Sequence, residues 1–236
     1  MILCFGRLGL EYADLYLMHE GDLGAPGNYP DIGCFYPTSK TCRLKTWLSC
    51  IRWMNNNKTR ACGVANWELE WLQELVDANA TLPAVVQNKF HPHQSLNSPQ
   101  IAAVKKFCDE HSIVFNGYSP LGRADWTTFQ PQIGTPTVLQ EPMIKQIAER
   151  MGRSPAEVLL RWHYQLNIPT QPRTLNLAHM KENIDVFKWN VSISDEDMKA
   201  LGSMSQCNTT RGDPFDPGDP EYGPDYEHMI GPTLHC

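Results

Sequence analysis

The chain has 236 residues, 42% of them hydrophobic, and a formal net charge of -6. That is enough for one sizeable core or two smaller ones, and the acidic balance excludes a basic field for nucleic acid or an anionic membrane. The apolar runs fall well short of the roughly 18 residues that span a bilayer, and the opening MILCFGRLGL lacks the parts of a secretory leader, so a cytoplasmic protein is expected.

The first element is Tyr12–Met18, a short apolar run that ends on His19 and then Glu20-Gly21, read as a buried strand emerging into a loop. Glu20–Thr41 carries four glycines and three prolines and reads as a long loop. Leu44–Asn57 has Leu44, Trp47, Leu48, Ile51 and Met54 at helical spacing. Thr59–Ala65 is the next strand, with Asn66 at its exit, and Trp67–Ala80 is an amphipathic helix. Pro83–Phe90 is a strand ending at His91-Pro92, Pro99–His111 a helix, and Ser112–Tyr118 a strand stopped by Ser119-Pro120. Glu141–Met151 and Pro155–Leu166 are helical, with Ser154 a natural cap for the second. Asn167–Thr174 is a strand weakened by Pro169 and Pro172, and Leu177–Val186 and Ser194–Met204 are helices. From Ser205 the chain is rich in Pro, Gly and Asp and reads as a tail, residues 205–236, following a folded domain over 1–204.

Five alternations of strand and helix argue a parallel sheet with crossover helices. No G-x-G-x-x-G follows a strand, so a Rossmann fold has no support. The remaining choice is another open sheet or part of a (β/α)8 barrel. The eight cysteines never form CxxC or a zinc spacing, so reduced, mostly buried thiols and no metal site are expected.

In such folds the chemistry collects at the carboxyl ends of the strands. The exits here carry His19, then Asn66, then Gln87 with His91, then Tyr118 with Ser119, then Arg173 with Thr174. Histidine can polarise a carbonyl, Asn and Gln can hold a carboxamide, and a tyrosine face can stack on a flat ring. Arg173-Thr174 before a helix N-terminus near Leu177 makes a phosphate cradle. Taken singly, each has a plainer reading: His19 a satisfied histidine, Asn66 and Gln87 turn residues, Arg173 a surface charge. His91, His93 and His163 read as structural or exposed. Taken together, the candidates suggest a nicotinamide nucleotide across the carboxyl end of the sheet.

These stretches resemble the aldo-keto reductase family. LGLEYADLYLMH is similar to its fourth-strand signature, RACGVANW to its G-V-S-N-F, PAVVQNKFHPHQ to its V-N-Q-x-E-x-H-P, NGYSPLG to its A-Y-S-P-L-G, and QPRTLNLAHMKENI to its I-P-K-S-x4-R-x2-E-N cofactor motif. The resemblance runs in order from Gly9 to about Met204 and implies an α/β fold, a partial (β/α)8 TIM barrel comprising strands four to eight with their helices. It implies NADP(H), with NAD as the lesser cofactor, and reduction of aldehydes or ketones. By it His19 is catalytic, Asn66 and Gln87 hold the nicotinamide amide, Tyr118 stacks on the ring, Arg173 and Thr174 contact phosphates, His179 lies at the 2′-phosphate position, and Glu182 and Asn183 lie near the adenine.

Several positions depart from the pattern. The motif serine is Ala65, the glutamate before His-Pro is Lys89, the motif lysine is Arg173 and the second basic residue is His179. The family's aspartate, general-acid tyrosine and lysine lie on its first three strands, and this chain begins at the fourth. The resemblance therefore implies a small-molecule carbonyl substrate and no nucleic-acid or membrane partner, but an inactive chain unless those strands are supplied. The rival is a non-catalytic nucleotide-binding or scaffold protein, and a third reading is a degenerate fragment. An open sheet leaves edges at Tyr12–Met18 and Asn167–Thr174, so self-association is expected.

Overall fold

A computed structural model describes residues 7–19, 40–122 and 137–204. It contains strands β1 (Ala13–Met18), β2 (Thr59–Ala65), β3 (Val85–Lys89) and β4 (Val114–Tyr118). The helices are α1 (Lys40–Asn55), α2 (Leu69–Asp77), α3 (Pro99–Glu110), α4 (Pro142–Met151), α5 (Pro155–Gln165), α6 (Leu177–Asp185) and α7 (Asp195–Gly202). The strands form one sheet in the order β1-β2-β3-β4, with β1 parallel to β2 and β2 parallel to β3. An α/β fold built on a parallel sheet is thus present, as the alternation of strand and helix predicts.

Two elements differ from that expectation. Asn167–Thr174 is not a strand; it contributes a single parallel bridge, Gly117 to Thr170, beside the Gly117 N–H donating to the Pro169 carbonyl at 2.8 Å. Pro169 and Pro172 have no N–H to extend the ladder. Lys40 and Thr41, read as the end of the long loop, belong to α1. Residues 20–39 and the tail at 205–236 lie outside the described residues.

The chain divides into two compact units. Among the described residues, the first comprises 7–19, 40–87 and Phe107–Val114. Its best-buried strand is β2, where Cys62, Val64 and Ala65 are all buried, as befits a strand covered on both faces. Gly63 is obligatory there: a Cβ would lie 2.6 Å from Leu17 Cδ2 and 2.7 Å from the Val85 carbonyl oxygen. The expected buried strand at β1 is only partly so. Met18 is buried, whereas Leu15 is 39% exposed, since among the described residues β1 has a strand partner on one side alone. Helix α1 seats Trp47 fully, its indole N–H donating to the Thr81 carbonyl at 2.7 Å. The expectation of reduced thiols is corrected here. Cys50 of α1 and Cys62 of β2 form a disulfide, their Cα atoms 6.2 Å apart, within disulfide reach. Cys108 is buried and outside any disulfide.

Among the described residues, the second unit comprises Asn88–Lys106, 115–122 and 137–204. Its core is aromatic: Phe90 stacks on Trp162 with ring centroids 5.1 Å apart and planes 9° from parallel, and meets Phe115 edge-on at 5.8 Å. Helix α5 starts as its sequence dictates. Ser154 accepts from the Glu157 N–H, the Glu157 carboxylate accepts from the Ser154 N–H, and Pro155 fills the first turn. Helix α4 ends on Gly152 in the left-handed region, φ 62, and Ser194 caps α7 ahead of an acidic first turn.

His163 and His91 are both buried here. His163 bridges, with Nδ1 2.9 Å from the Leu159 carbonyl oxygen and Nε2 3.1 Å from that of Phe90. His93 instead pairs with Glu141 at 2.8 Å. Burial pushes His91 down to about 3, reinforced by the charges of Lys89, His93 and His163. A histidine held neutral in the fold takes up its proton only on unfolding, so stability is complete above about pH 6.5 and falls as pH drops from there toward 3. The slope from this one group approaches about 1.4 kcal/mol per pH unit inside that window. Urea midpoints at pH 7, 6 and 5 are expected to decline steadily, and His91→Asn to decline less. Equal declines in both chains would assign the acid sensitivity elsewhere.

Candidate functional site

Each of the two units, by itself, carries some of the expected site residues. In the first, β1, β2 and β3 run in parallel, so His19 and Asn66 leave the carboxyl ends of β1 and β2 beside Gln87 in the middle of β3. The register sets Met18 against Val64 and Ala65 against Gln87. Asn66 leaves β2 in the left-handed region, φ 58, which asparagine tolerates better than other side-chain-bearing residues. This turn lets one residue tie both neighbours. Its backbone N–H donates to the Gln87 carbonyl and its side-chain Nδ2 donates to the His19 carbonyl, each at 3.0 Å. The structure thus brings His19, Asn66 and Gln87 together, Asn66 and Gln87 half-buried and His19 exposed.

In the second unit, Tyr118 closes β4 half-buried, and its carbonyl accepts from the Phe90 N–H at 3.1 Å. Ser119 follows at φ 53, and its carbonyl accepts from the Gly122 N–H at 2.9 Å in a tight turn. Arg173 is exposed and Thr174 half-buried in the segment leading to α6. A relay of short polar side chains shapes that entry. Thr174 Oγ1 accepts from the Asn176 N–H at 3.1 Å, and Asn176 Oδ1 accepts from the Ala178 N–H at 2.8 Å. Asn176 is a contributor that the sequence reading passed over; an Asn immediately before a periodic apolar run is the signal that finds such a cap.

On α6, His179, Glu182 and Asn183 stand three and four residues apart and so share a face. Leu177, Met180 and Ile184 form the opposite stripe, 80%, 38% and 61% exposed. Lys181 is not available as a substitute cation beside His179. It pairs with Asp185, which also binds Lys188 at 2.7 Å. The Lys181 and Lys188 ammoniums hold the Asp185 carboxyl down at about 2, and Asp185 in turn raises Lys181.

The donors of the second unit suit a phosphate. Arg173 adjoins the positive end of a nine-residue helix, while the first unit offers carboxamide side chains for a group of like chemistry. Among the described residues no group of three or more His, Cys, Asp or Glu side chains lies together to hold a metal. No helix there is long and apolar enough to cross a membrane.

A parallel α/β sheet with polar side chains at its strand ends defines the class, and comparison with known proteins narrows it. The profile of the aldo/keto reductase family matches residues 5–206. The chain belongs to the aldo/keto reductase family, a family of oxidoreductases. Aldo-keto reductase family 1 member A1 of Xenopus tropicalis is 32% identical over 205 residues, 84% of this chain and 59% of that protein. Morphine 6-dehydrogenase of Pseudomonas putida is 32% identical over 213 residues, 89% of this chain and 64% of that protein. Among solved structures, an aldo/keto reductase from Brucella melitensis superposes with a TM-score of 0.66 at 25% identity, covering 86% of this chain and 65% of that one. Such neighbours are TIM barrels. The chain spans about three-fifths of the length of the curated relatives it matches.

Proposed function

We propose that this chain is the cofactor-holding part of a (β/α)8 reductase, its strands four to seven with the bridged segment Asn167–Thr174 in the eighth position, and that the reductase uses NADP(H) to convert aldehydes or ketones to alcohols. The observation that carries the reading is the Asn66 junction, which ties the exits of β1 and β2 to the middle of β3 by two 3.0 Å hydrogen bonds. In this reading Asn66 and Gln87 orient the nicotinamide carboxamide and Tyr118 stacks on the ring. Arg173, Thr174 and the N-terminal turn of α6 hold phosphate, and Glu182 and Asn183 flank the adenine. The cofactor, when bound, supplies hydride. His19 orients and polarises the carbonyl oxygen, while the proton comes from the family's tyrosine, tuned by its aspartate and lysine. Those three have no counterpart that the family motifs assign among these 236 residues, so turnover belongs to a form that carries them.

A second reading keeps the nucleotide and drops the catalysis, and the missing proton donor favours it for the chain as given. Under both readings the outward stripe of α6 and the outer edge of β1 are surfaces for self-association, and we place the protein in the cytoplasm.

The test is titration of the chain with NADPH and NADH, followed by quenching of tryptophan fluorescence. Saturable binding is expected, weakened about tenfold or more by Arg173→Ala, a loss on the scale of one charge-assisted contact. His179 stands where the family has arginine, and an imidazole lacks the planar fork with which arginine grips a phosphate by two parallel hydrogen bonds. The NADPH-over-NADH ratio is therefore expected to be small, and to rise in His179→Arg. No saturable quenching by either nucleotide in the folded chain would end the proposal.

A further inference from the structure

Helix α1 is attached by few apolar contacts. Its buried positions are Cys42, Arg43, Trp47 and Cys50, so the face made by 43, 47 and 50 has one large apolar anchor, Trp47. Trp53 adds an edge-on contact with Tyr16 of β1, ring centroids 5.3 Å apart, and polar and covalent links complete the attachment. Arg43 donates to the Glu74 carboxylate through Nε at 2.8 Å and Nη2 at 2.5 Å, and Cys50 is bonded to Cys62. Both sulfur-bearing residues are buried, 2% and 3% exposed. Cys62 sits where β2 engages its neighbour. Its carbonyl accepts from the Ala84 N–H at 2.8 Å, and the next three residues pair with Val85, Val86 and Gln87.

We propose that the Cys50–Cys62 disulfide is a redox-controlled clasp that keeps α1 seated on β2, and with it the register that sets Asn66 beside Gln87. Closing the clasp takes two protons and two electrons from the Cys50 and Cys62 thiols. A low-molecular-weight disulfide of the glutathione type accepts them and leaves as two thiols. The bond joins residues 12 apart in sequence, and cross-linking that loop removes entropy from the unfolded chain. Because both sulfurs are buried, a reductant reaches the bond only when α1 lifts, so reduction is gated by local opening. In a reducing compartment a protein disulfide is a transient or sensing bond, which is the role assigned here. The consequence for cofactor binding rests on the reading of Asn66 and Gln87 given above; the experiment reads only the bond and the stability.

The full chain is equilibrated with oxidised glutathione, its thiols are blocked, and it is digested without reductant. Thermal unfolding is then compared with and without dithiothreitol, beside Cys50→Ala/Cys62→Ala. Expected are a peptide pair linked through Cys50 and Cys62, and a reductant-induced fall in Tm roughly 5–10 °C larger in the wild-type chain than in the double variant. Cys42 is also disulfide-bonded, and its contribution is common to both chains. Alkylation of Cys50 in dithiothreitol is expected to speed up steeply with sub-denaturing urea. Recovery of Cys50 and Cys62 as separate alkylated peptides, or equal Tm shifts in the two chains, overturns the clasp. Should the double variant not fold, an alkylation rate independent of urea overturns it as well.

Discussion

Trp162→Ala is expected to cost the second unit about 3–5 kcal/mol, the range for deleting a buried large aromatic side chain. Trp162 is 1% exposed, stacked on Phe90 and edge-on to His163 at 5.0 Å. The loss reaches beyond the cavity itself, because Phe90 joins this core to the strand end. Its N–H donates to the Tyr118 carbonyl and its own carbonyl faces His163. A vacated Trp162 site invites Phe90 to shift, and the end of β4 with it. The indole N–H of Trp162 is buried without a hydrogen-bond partner among the described residues. Trp162→Phe therefore keeps much of the stacking and removes an unsatisfied donor, so it is expected to lose far less than alanine. Urea unfolding followed by circular dichroism measures both, and equal losses would mean that stacking on Phe90 contributes little.

In a form that also carries the family's aspartate, tyrosine and lysine, His19→Ala is expected to lower kcat about 100-fold, the lower range for a group acting on a proton or a developing charge. KM is expected to change little, because an interaction that strengthens only in the transition state appears in kcat. The Asn66 side chain bonds the backbone carbonyl of His19, not its ring. Truncating the ring thus leaves the strand junction in place, and lost activity reports on the imidazole. His19→Gln, which retains a donor, is expected to recover part of the loss. The 236-residue chain is expected to reduce simple aldehydes with NADPH no faster than the buffer. Turnover by that chain would show that the proton has another source.

Local rules carried much of the fold. Thr59–Ala65 has the same bounds in sequence and structure, and Ser154-Pro155 with Glu157 starts α5 through contacts confined to four residues. What failed was whatever depends on distant neighbours. The apolar pattern of Tyr12–Met18 announces a strand, but burial requires something to cover it, and Leu15 remains exposed. No spacing rule brings Cys50 to Cys62, since their closeness follows from the seating of α1 on β2. In the site, the residue types at the strand exits were legible because parallel sheets expose those ends. The left-handed turn at Asn66 and its bond to the His19 carbonyl were not, because non-glycine positive φ is set by the surrounding ladder. The diversion of Lys181 to Asp185 is local, four residues along one helix, and was open to the sequence but not read from it.

The central claim is that this chain holds NADP(H) through the Asn66 junction and the approach to α6. Amide hydrogen exchange with and without saturating NADPH tests it most directly, because it reads location as well as binding. The account predicts added protection in two places, the β2 exit around Asn66 and the segment from Arg173 to Met180, with β1 and α4 unchanged. Saturable NADPH binding with protection at neither segment would contradict it.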